Sequence, residues 1–97
     1  MKEITIFCPI YAAPGKKDAL REALKSLAEK TQKEAGNICY RPHEATTEEN
    51  KFMIYEQWRD QAALDHHMQQ DYLVEFLADK AGLLADEIRG TICSEMK

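Results

Sequence analysis

Residues 51–59 read KFMIYEQWR, and this stretch decides the fold. Its apolar side chains alternate with a period of two, which is typical of a β-strand. Glu56 lies on one face of that strand, in a row that is otherwise apolar: Phe52, Ile54 and Trp58. The preceding NICYRPHEA (37–45) is a second strand with a polar turn, TTEEN, after it. The segment 37–58 is therefore predicted to be a β-hairpin with a five-residue loop.

The segments on either side of the hairpin complete the pattern. EITIFCPIY (3–11) predicts a first strand, with Pro9 at an edge or bulge, and a long helix follows the APG turn and stops near Gly36. Asp60 is expected to cap a helix over 61–69 and Asp71 another over 72–84, and 87–96 predicts a last strand. This order favours an α+β, ferredoxin-like split βαβ fold, a four-stranded antiparallel sheet with helices on one face.

Both faces of the predicted sheet carry large apolar side chains, but the helices can cover only one of them. The aromatic residues that cannot all lie under the helices are Phe7, Tyr11, Tyr40, Tyr55 and Trp58. A sheet face exposed to water would be more polar. The pattern therefore predicts a homodimer in which a second subunit packs sheet against sheet.

The totals limit the class of protein. Ninety-seven residues suit a single domain over 1–97, and 44% hydrophobic residues argue against disorder. A net charge of −4 argues against nucleic acid as a partner. No apolar stretch reaches the ~20 residues of a membrane span, and the N-terminus lacks the apolar core of a signal peptide. We expect no membrane partner and a cytoplasmic location.

Two adjacent histidines, His66 and His67, raise the question of a metal site. Neighbouring residues on a helix point ~100° apart, so the two rings cannot address one site. A helical metal pair needs a spacing of three or four residues, and the third histidine is distant. We therefore expect no metal. His67 is placed on the apolar side of its helix, with Ala63, Leu64 and Met68, and His66 on the polar side.

The stretch FMIYEQWRDQAALDHHMQQDYLVEF (52–76) resembles the antibiotic biosynthesis monooxygenase family. The resemblance is carried by a Glu-x-Trp strand end, a short Ala-Leu-x-x-His helix and an aromatic on the next helix: Glu56, Trp58, Ala63, Leu64, His67 and Phe76. AGNICY (35–40) matches the family's Gly-Asn start to its second strand. The resemblance implies a dimeric α+β barrel with a pocket between sheet and helices in each subunit. Family activities include cofactor-independent oxidation of quinols and anthrones, haem degradation, and isomerisation of a phosphorylated sugar.

The chain departs from the family pattern at one position. Many members carry a Pro-His pair where this sequence has Asp71-Tyr72, which implies that Tyr72 takes the place of that histidine or that the substrate differs. The haem-degrading branch typically has an asparagine on the first strand and a histidine further along the helical segment. Neither is evident in this sequence.

The leading hypothesis from the resemblance is a monooxygenase without metal, flavin or other cofactor. Its partners would be O₂ and a small aromatic substrate, such as a quinol or a polycyclic hydroxy-aromatic. His67 would be the base, or would orient a substrate hydroxyl, and Asn37 and Trp58 would hydrogen-bond oxygen atoms. The remaining substrate-binding candidates are Glu56, Tyr40, Tyr55, Tyr72 and Phe76. The alternatives are an isomerase of a small carbonyl compound, for which Arg41 and Arg59 would hold a phosphate, and a non-catalytic binding module.

Each candidate also has a structural interpretation. His67 is either a pocket base or a satisfied histidine that donates to a carbonyl or to a carboxylate such as Glu56. Glu56 itself must be paired or have a raised pKa among its apolar neighbours. Trp58 is either part of the core or pocket wall, or a participant in the chemistry, and Asn37 is either a substrate ligand or a turn residue after Gly36.

Overall fold

Four strands form one antiparallel sheet in the computed structural model, which describes residues 3–97. In chain order the elements are β1 (Ile4–Tyr11), α1 (Lys17–Thr31), β2 (Asn37–Glu44), β3 (Lys51–Trp58), α2 (Gln61–Met68), α3 (Asp71–Ala78) and β4 (Thr91–Cys93). The strand order across the sheet is β2-β3-β1-β4. The predicted ferredoxin-like α+β fold is confirmed.

Strand β3 lies between β2 and β1 and shows the expected alternation along all eight residues. Phe52, Ile54, Glu56 and Trp58 are buried, and the residues between them are half-buried. Ile4 pairs with Trp58 at one end of β1, and Ile10 pairs with Phe52 near the other. The buried face of the sheet therefore carries a continuous apolar layer, with the Glu56 carboxylate inside it.

The long helix α1 and the shorter helices α2 and α3 all pack on this layer. Leu20, Leu24 and Leu27 of α1 are almost completely buried, as a helical stripe requires. Asp60 caps α2 as predicted, because its carboxylate accepts the Ala63 N–H at 2.9 Å.

A close backbone approach seats α2 against the connection between α1 and β2. A Cβ atom built on Gly36 would lie 2.3 Å from the Ala63 Cβ, so a side chain there would force the two segments apart. The Arg59 N–H also donates to the Gly36 carbonyl at 2.9 Å. This contact brings the end of the α1 segment next to the buried face of α2.

The last third of the chain differs from the prediction. Helix α3 ends at Ala78, not near residue 84, because Asp79 adopts a left-handed conformation (φ 49°). Its carboxylate accepts the N–H groups of Leu83 and Leu84 at 2.7 and 3.1 Å, which fixes a turn. The N-cap of α3 is Gln70 and not Asp71.

The final strand is also shorter than expected. Only Thr91–Cys93 pair with the sheet, opposite Thr5–Phe7 of β1. The rest of β1, from Cys8 onward, has no β4 residue beside it, and Pro9 lies in this stretch. Met68, expected on the buried side of α2, is 51% exposed.

The second face of the sheet is not covered by helices. Phe7 is 43% exposed and Tyr11 is 38% exposed, and the Phe7 ring packs against Tyr55 with centroids 5.3 Å apart. We call this the open face, formed by the odd-numbered residues of β1 and β3. Within residues 3–97, none of the helices has the length and apolar character to cross a membrane.

Candidate functional site

A cavity of about 330 Å³ lies between the buried face of the sheet and helices α2 and α3. This volume is within the range of small-molecule sites. Most of the wall is apolar, and it is formed by Ile6, Ile10, Leu27, Ile54, Leu64, Leu73, Phe76 and Ile88. Met68, Leu77 and Ile92 also line the cavity and are 51%, 42% and 62% exposed, so they form its mouth.

The wall contains few buried polar residues, and none of them is a lysine or an arginine. They are Cys8, Tyr40, Glu56 and His67, and no lysine or arginine of residues 3–97 lines the cavity. Burial, with a smaller contribution from Glu56, raises the pKa of the Cys8 thiol to about 11. Burial also raises the pKa of the Tyr40 phenol well above its usual value. Both groups therefore remain protonated at neutral pH, which leaves His67 and Glu56 as the groups that can exchange a proton.

His67 is held on two sides. Its side chain is only 3% exposed, and its Nδ1 lies 2.8 Å from Oε2 of Glu34. Its ring packs on the Trp58 indole with centroids 4.5 Å apart and planes inclined by 35°. Nε2 has no hydrogen-bond partner among residues 3–97, so it is the nitrogen left for a ligand in the cavity.

Glu34 is the site residue that sequence reasoning missed. The suggested carboxylate partner of His67 was Glu56, but the partner in the structure is Glu34, whose side chain is 7% exposed. The same Oε2 atom accepts a hydrogen bond from the Tyr72 hydroxyl. Glu34 follows α1 among charged residues, where the sequence resembles a solvated helix end. In the sequence, only its position two residues before Gly36 could have pointed to Glu34.

Glu56 lines the cavity beside these groups. Its Oε1 accepts the Trp58 indole N–H at 2.8 Å, so the buried indole nitrogen is satisfied within the strand. Burial raises the pKa of Glu56, and the Trp58 hydrogen bond and the nearby His67 act in the opposite direction. The site therefore holds a carboxyl group that favours its neutral form more than an exposed glutamate does.

The structure brings some of the predicted site residues together and separates others. His67, Glu56, Tyr40 and Phe76 line the cavity. Trp58 is completely buried behind His67, and Tyr72 reaches the site through Glu34.

Asn37 and Tyr55 lie outside the cavity. The Asn37 amide donates to the carbonyls of Cys39 and Gln57 at 3.0 and 3.3 Å, where the register of β2 and β3 shifts. Tyr55 points to the open face, where it contacts Phe7. The two residues are therefore placed to stabilise the hairpin and the open face.

The two histidines have different surroundings. His66 is exposed, and its Nε2 lies 2.8 Å from the Gln70 side-chain nitrogen. His67 is buried against Glu34 and Trp58. In the part of the chain that the structure describes, no group of three or more His, Cys, Asp or Glu side chains is arranged to hold a metal ion.

Comparisons with known proteins agree with this fold. The family model described as "Antibiotic biosynthesis monooxygenase" matches residues 4–79. An uncharacterised Synechocystis protein, sll1783, is 38% identical over 76 residues, which is 78% of this chain and 52% of that protein. The chain thus matches about half the length of that relative. YcnE of Bacillus subtilis, provisionally named a monooxygenase, is 32% identical over 76 residues, which is 78% of this chain and 80% of YcnE.

Among solved structures, PA3566 of Pseudomonas aeruginosa superimposes with a TM-score of 0.92 at 29% identity. The superposition covers 100% of this chain and 97% of that one. The residues 4–79 that match the family model run from β1 to the end of α3. They include Glu34, Glu56, His67 and Tyr72. The chain belongs to the antibiotic biosynthesis monooxygenase family.

Proposed function

We propose that this chain is a monooxygenase that oxidises an uncharged hydroxy-aromatic compound, such as a quinol, with O₂ and without a metal or flavin. The observation that carries the proposal is the cavity itself: an apolar space of about 330 Å³ into which one buried histidine, held by a carboxylate, is placed. The family membership supports the reaction class.

The chemistry needs one base and a dry, apolar space. His67 Nε2 takes the proton of a substrate hydroxyl, because a neutral imidazole is a suitable base near neutral pH. The resulting phenolate is electron-rich enough to reduce O₂, and a carbon–oxygen bond forms at the ring. The product of this step is a peroxide anion, and the protonated His67 returns its proton to the outer peroxide oxygen. Loss of the hydrogen from the same ring carbon and cleavage of the O–O bond then release water and leave a carbonyl at that carbon. A quinol and O₂ thus give a hydroxyquinone and water, and the substrate supplies all four electrons.

The charges around the cavity favour an uncharged substrate. Glu56 is a buried carboxyl group in the wall, and Asp65 adds a further carboxylate to the lining. A phosphate or carboxylate on the substrate would be desolvated beside these groups without a compensating cation. Arg41 is exposed and lies on a strand opposite Tyr55, and Arg59 is exposed beside Asp60 at 3.5 Å. The arginines considered for a phosphorylated substrate therefore do not line the cavity.

An isomerase of an uncharged carbonyl compound is the second candidate. It is favoured by the presence of two proton-exchanging groups, His67 and Glu56, in one cavity. One group would remove a proton from carbon and the other would return it to the neighbouring atom. This reaction consumes no O₂, so product formation under anaerobic conditions distinguishes it from the oxygenase.

The experiment is turnover of a substituted naphthohydroquinone under isotope-labelled dioxygen, with the product analysed by mass spectrometry. The wild-type protein is expected to insert one labelled oxygen atom, at a rate unchanged by a chelator. His67→Ala should lower kcat by about 10²-fold or more, because it removes the base. His66→Ala is the matched control on the neighbouring, exposed side chain and should retain the wild-type rate.

Two results would overturn the proposal. Equal turnover by His67→Ala and the wild type would remove His67 from the role of base. Tight binding of the hydroquinone with no labelled product would indicate a binding module.

We also propose that the open face packs against a second copy of the chain. This is supported by the apolar side chains that the face leaves uncovered, Phe7 and Tyr11, and by the family resemblance. Light scattering should give the mass of a dimer for the wild type and of a monomer for Phe7→Glu. A dimer that survives this substitution would place the subunit contact elsewhere.

A further inference from the structure

Side chains from three segments of the chain meet at a single carboxylate oxygen. Oε2 of Glu34 accepts from Tyr72 of α3 and lies 2.8 Å from Nδ1 of His67 on α2. Glu34 itself belongs to the connection between α1 and β2. Its Oε1 is buried and has no partner among residues 3–97. The interactions of this carboxylate are therefore concentrated on the oxygen that faces His67.

The arrangement restricts which nitrogen of His67 carries the proton. An ionised carboxylate only accepts hydrogen bonds, so the nitrogen facing Glu34 must be the donor. In the neutral ring the proton then lies on Nδ1, and Nε2 is left with its lone pair. The alternative tautomer would set the lone pair of Nδ1 against the Glu34 carboxylate at 2.8 Å.

Tyr72 has a separate part in this arrangement. Burial, followed by the hydrogen bond to Glu34, raises the pKa of Tyr72 to about 12. Its hydroxyl therefore remains a donor throughout the physiological range. It holds the Glu34 carboxylate from the side of α3, and it does not line the cavity.

The other neighbours of His67 do not compete for Nδ1. Trp58 offers a ring face at 4.5 Å, and its N–H is already donated to Glu56. The Tyr40 ring centroid is 5.9 Å away, and Glu56 acts on His67 only through its charge. Glu34 is thus the one hydrogen-bonding partner of the His67 ring in the described residues.

We propose that Glu34 is a positioning residue that fixes His67 in the tautomer with Nε2 free, and that Tyr72 holds Glu34 in place. The inference deepens the proposed function, because a free Nε2 is what the base requires. The tautomer itself is a property of the folded chain and does not depend on which substrate is used.

The first test is nitrogen NMR of isotope-labelled full-length protein at a pH where His67 is neutral. The wild type is expected to show a single tautomer, protonated on Nδ1. Glu34→Gln should give a mixture, because an amide can either donate or accept at that position. His66→Gln and His43→Gln identify the signals of the other two histidines, and the dispersion of the proton spectrum reports whether each variant is folded. A single Nδ1-protonated tautomer in folded Glu34→Gln would overturn the proposal.

Tyr72→Phe keeps the inference testable if Glu34→Gln does not fold. Removing the hydroxyl leaves Glu34 charged but less firmly held, so the Nδ1-protonated form should persist and the His67 ring signals should broaden. Unchanged ring signals in Tyr72→Phe would remove Tyr72 from the proposal.

The second test separates this inference from the proposed function. If naphthohydroquinone is turned over, Glu34→Gln should lower kcat by about 10²-fold with KM changed only a few-fold, because ground-state contacts in the cavity are unaltered. A KM raised by about 10²-fold with kcat unchanged would contradict a positioning role. If the wild type shows no turnover, the proposed function fails, and the tautomer measurement still decides the role of Glu34.

Discussion

The two faces of β3 have the same backbone and opposite surroundings. Glu56 and Trp58 point to the helices and are buried, whereas Tyr55, the residue before Glu56, points to the open face and contacts Phe7. Polar groups on the covered face are held in defined hydrogen bonds around a cavity, as Glu56 is by the Trp58 indole. The open face has aromatic side chains that are partly exposed to solvent. The difference shows that the side on which a residue lies decides its role more than its type does.

The largest difference that we expect between the two faces is in the free energy of unfolding. Trp58→Ala removes a completely buried ring and should lower the free energy of unfolding by about 3–5 kcal/mol. Tyr55→Ala, on the half-buried side of the same strand, should cost about 1 kcal/mol. Urea denaturation of both variants measures the difference. Equal losses would mean that the open face is as well packed as the covered one.

Thiol reactivity compares the faces with a chemical probe. Cys8 is buried in the cavity wall with a pKa raised to about 11, so on the order of one in a thousand molecules is a thiolate at about pH 8. Cys39 and Cys93 lie in the row of the open face next to Thr5 and Gln57 and are half-buried. In the Phe7→Glu variant, whose open face is expected to be free of a second copy, alkylation followed by mass spectrometry should modify these two at least tenfold faster than Cys8. Faster modification of Cys8 would show that the cavity activates its thiol.

A smaller effect is expected in the pH dependence of stability. The folded state raises the pKa of Glu56 above 4.5, so folding favours the protonated carboxyl group. The contribution of this group to stability is therefore full below about pH 4.5 and is lost as the pH rises through the raised pKa. Glu56→Gln retains an oxygen that can accept the Trp58 N–H and has no charge to bury.

Glu56→Gln should accordingly be more stable than the wild type at pH 7, and the difference should shrink as the pH falls to 4. Thermal unfolding of both proteins across this range measures the effect. A difference that grows on acidification would mean that the folded state stabilises the charged form.

The elements with strong local patterns were predictable from the sequence. The alternation of β3, the apolar stripe of α1 and the Asp60 cap each depend on residues close together in the chain, and each is confirmed. The same alternation also separates Tyr55 from Glu56. Within one subunit Tyr55 lies on the open face, where it packs on Phe7, and the cavity lies on the covered face. The alternation therefore argues against the hypothesis that Tyr55 packs a substrate ring.

The rest depended on contacts between distant parts of the chain. The end of α3 is fixed by the left-handed Asp79 and its bonds to Leu83 and Leu84, which an apolar pattern does not reveal. The partner of His67 lies 33 residues away in sequence, and it meets the ring because α2 approaches the backbone at Gly36. Pairing of this kind is a property of the assembled fold.

The short β4 separates two tasks within one cavity. Ile88, Gly90 and Ile92 line the cavity from a segment in which only three residues pair with the sheet. His67 and Glu34 belong to other segments, α2 and the connection between α1 and β2. Substitutions in residues 88–92 can therefore alter the size and access of the cavity without touching the hydrogen bonds of His67. A chain built in this way can change the compounds that it admits while it retains the group that acts on them.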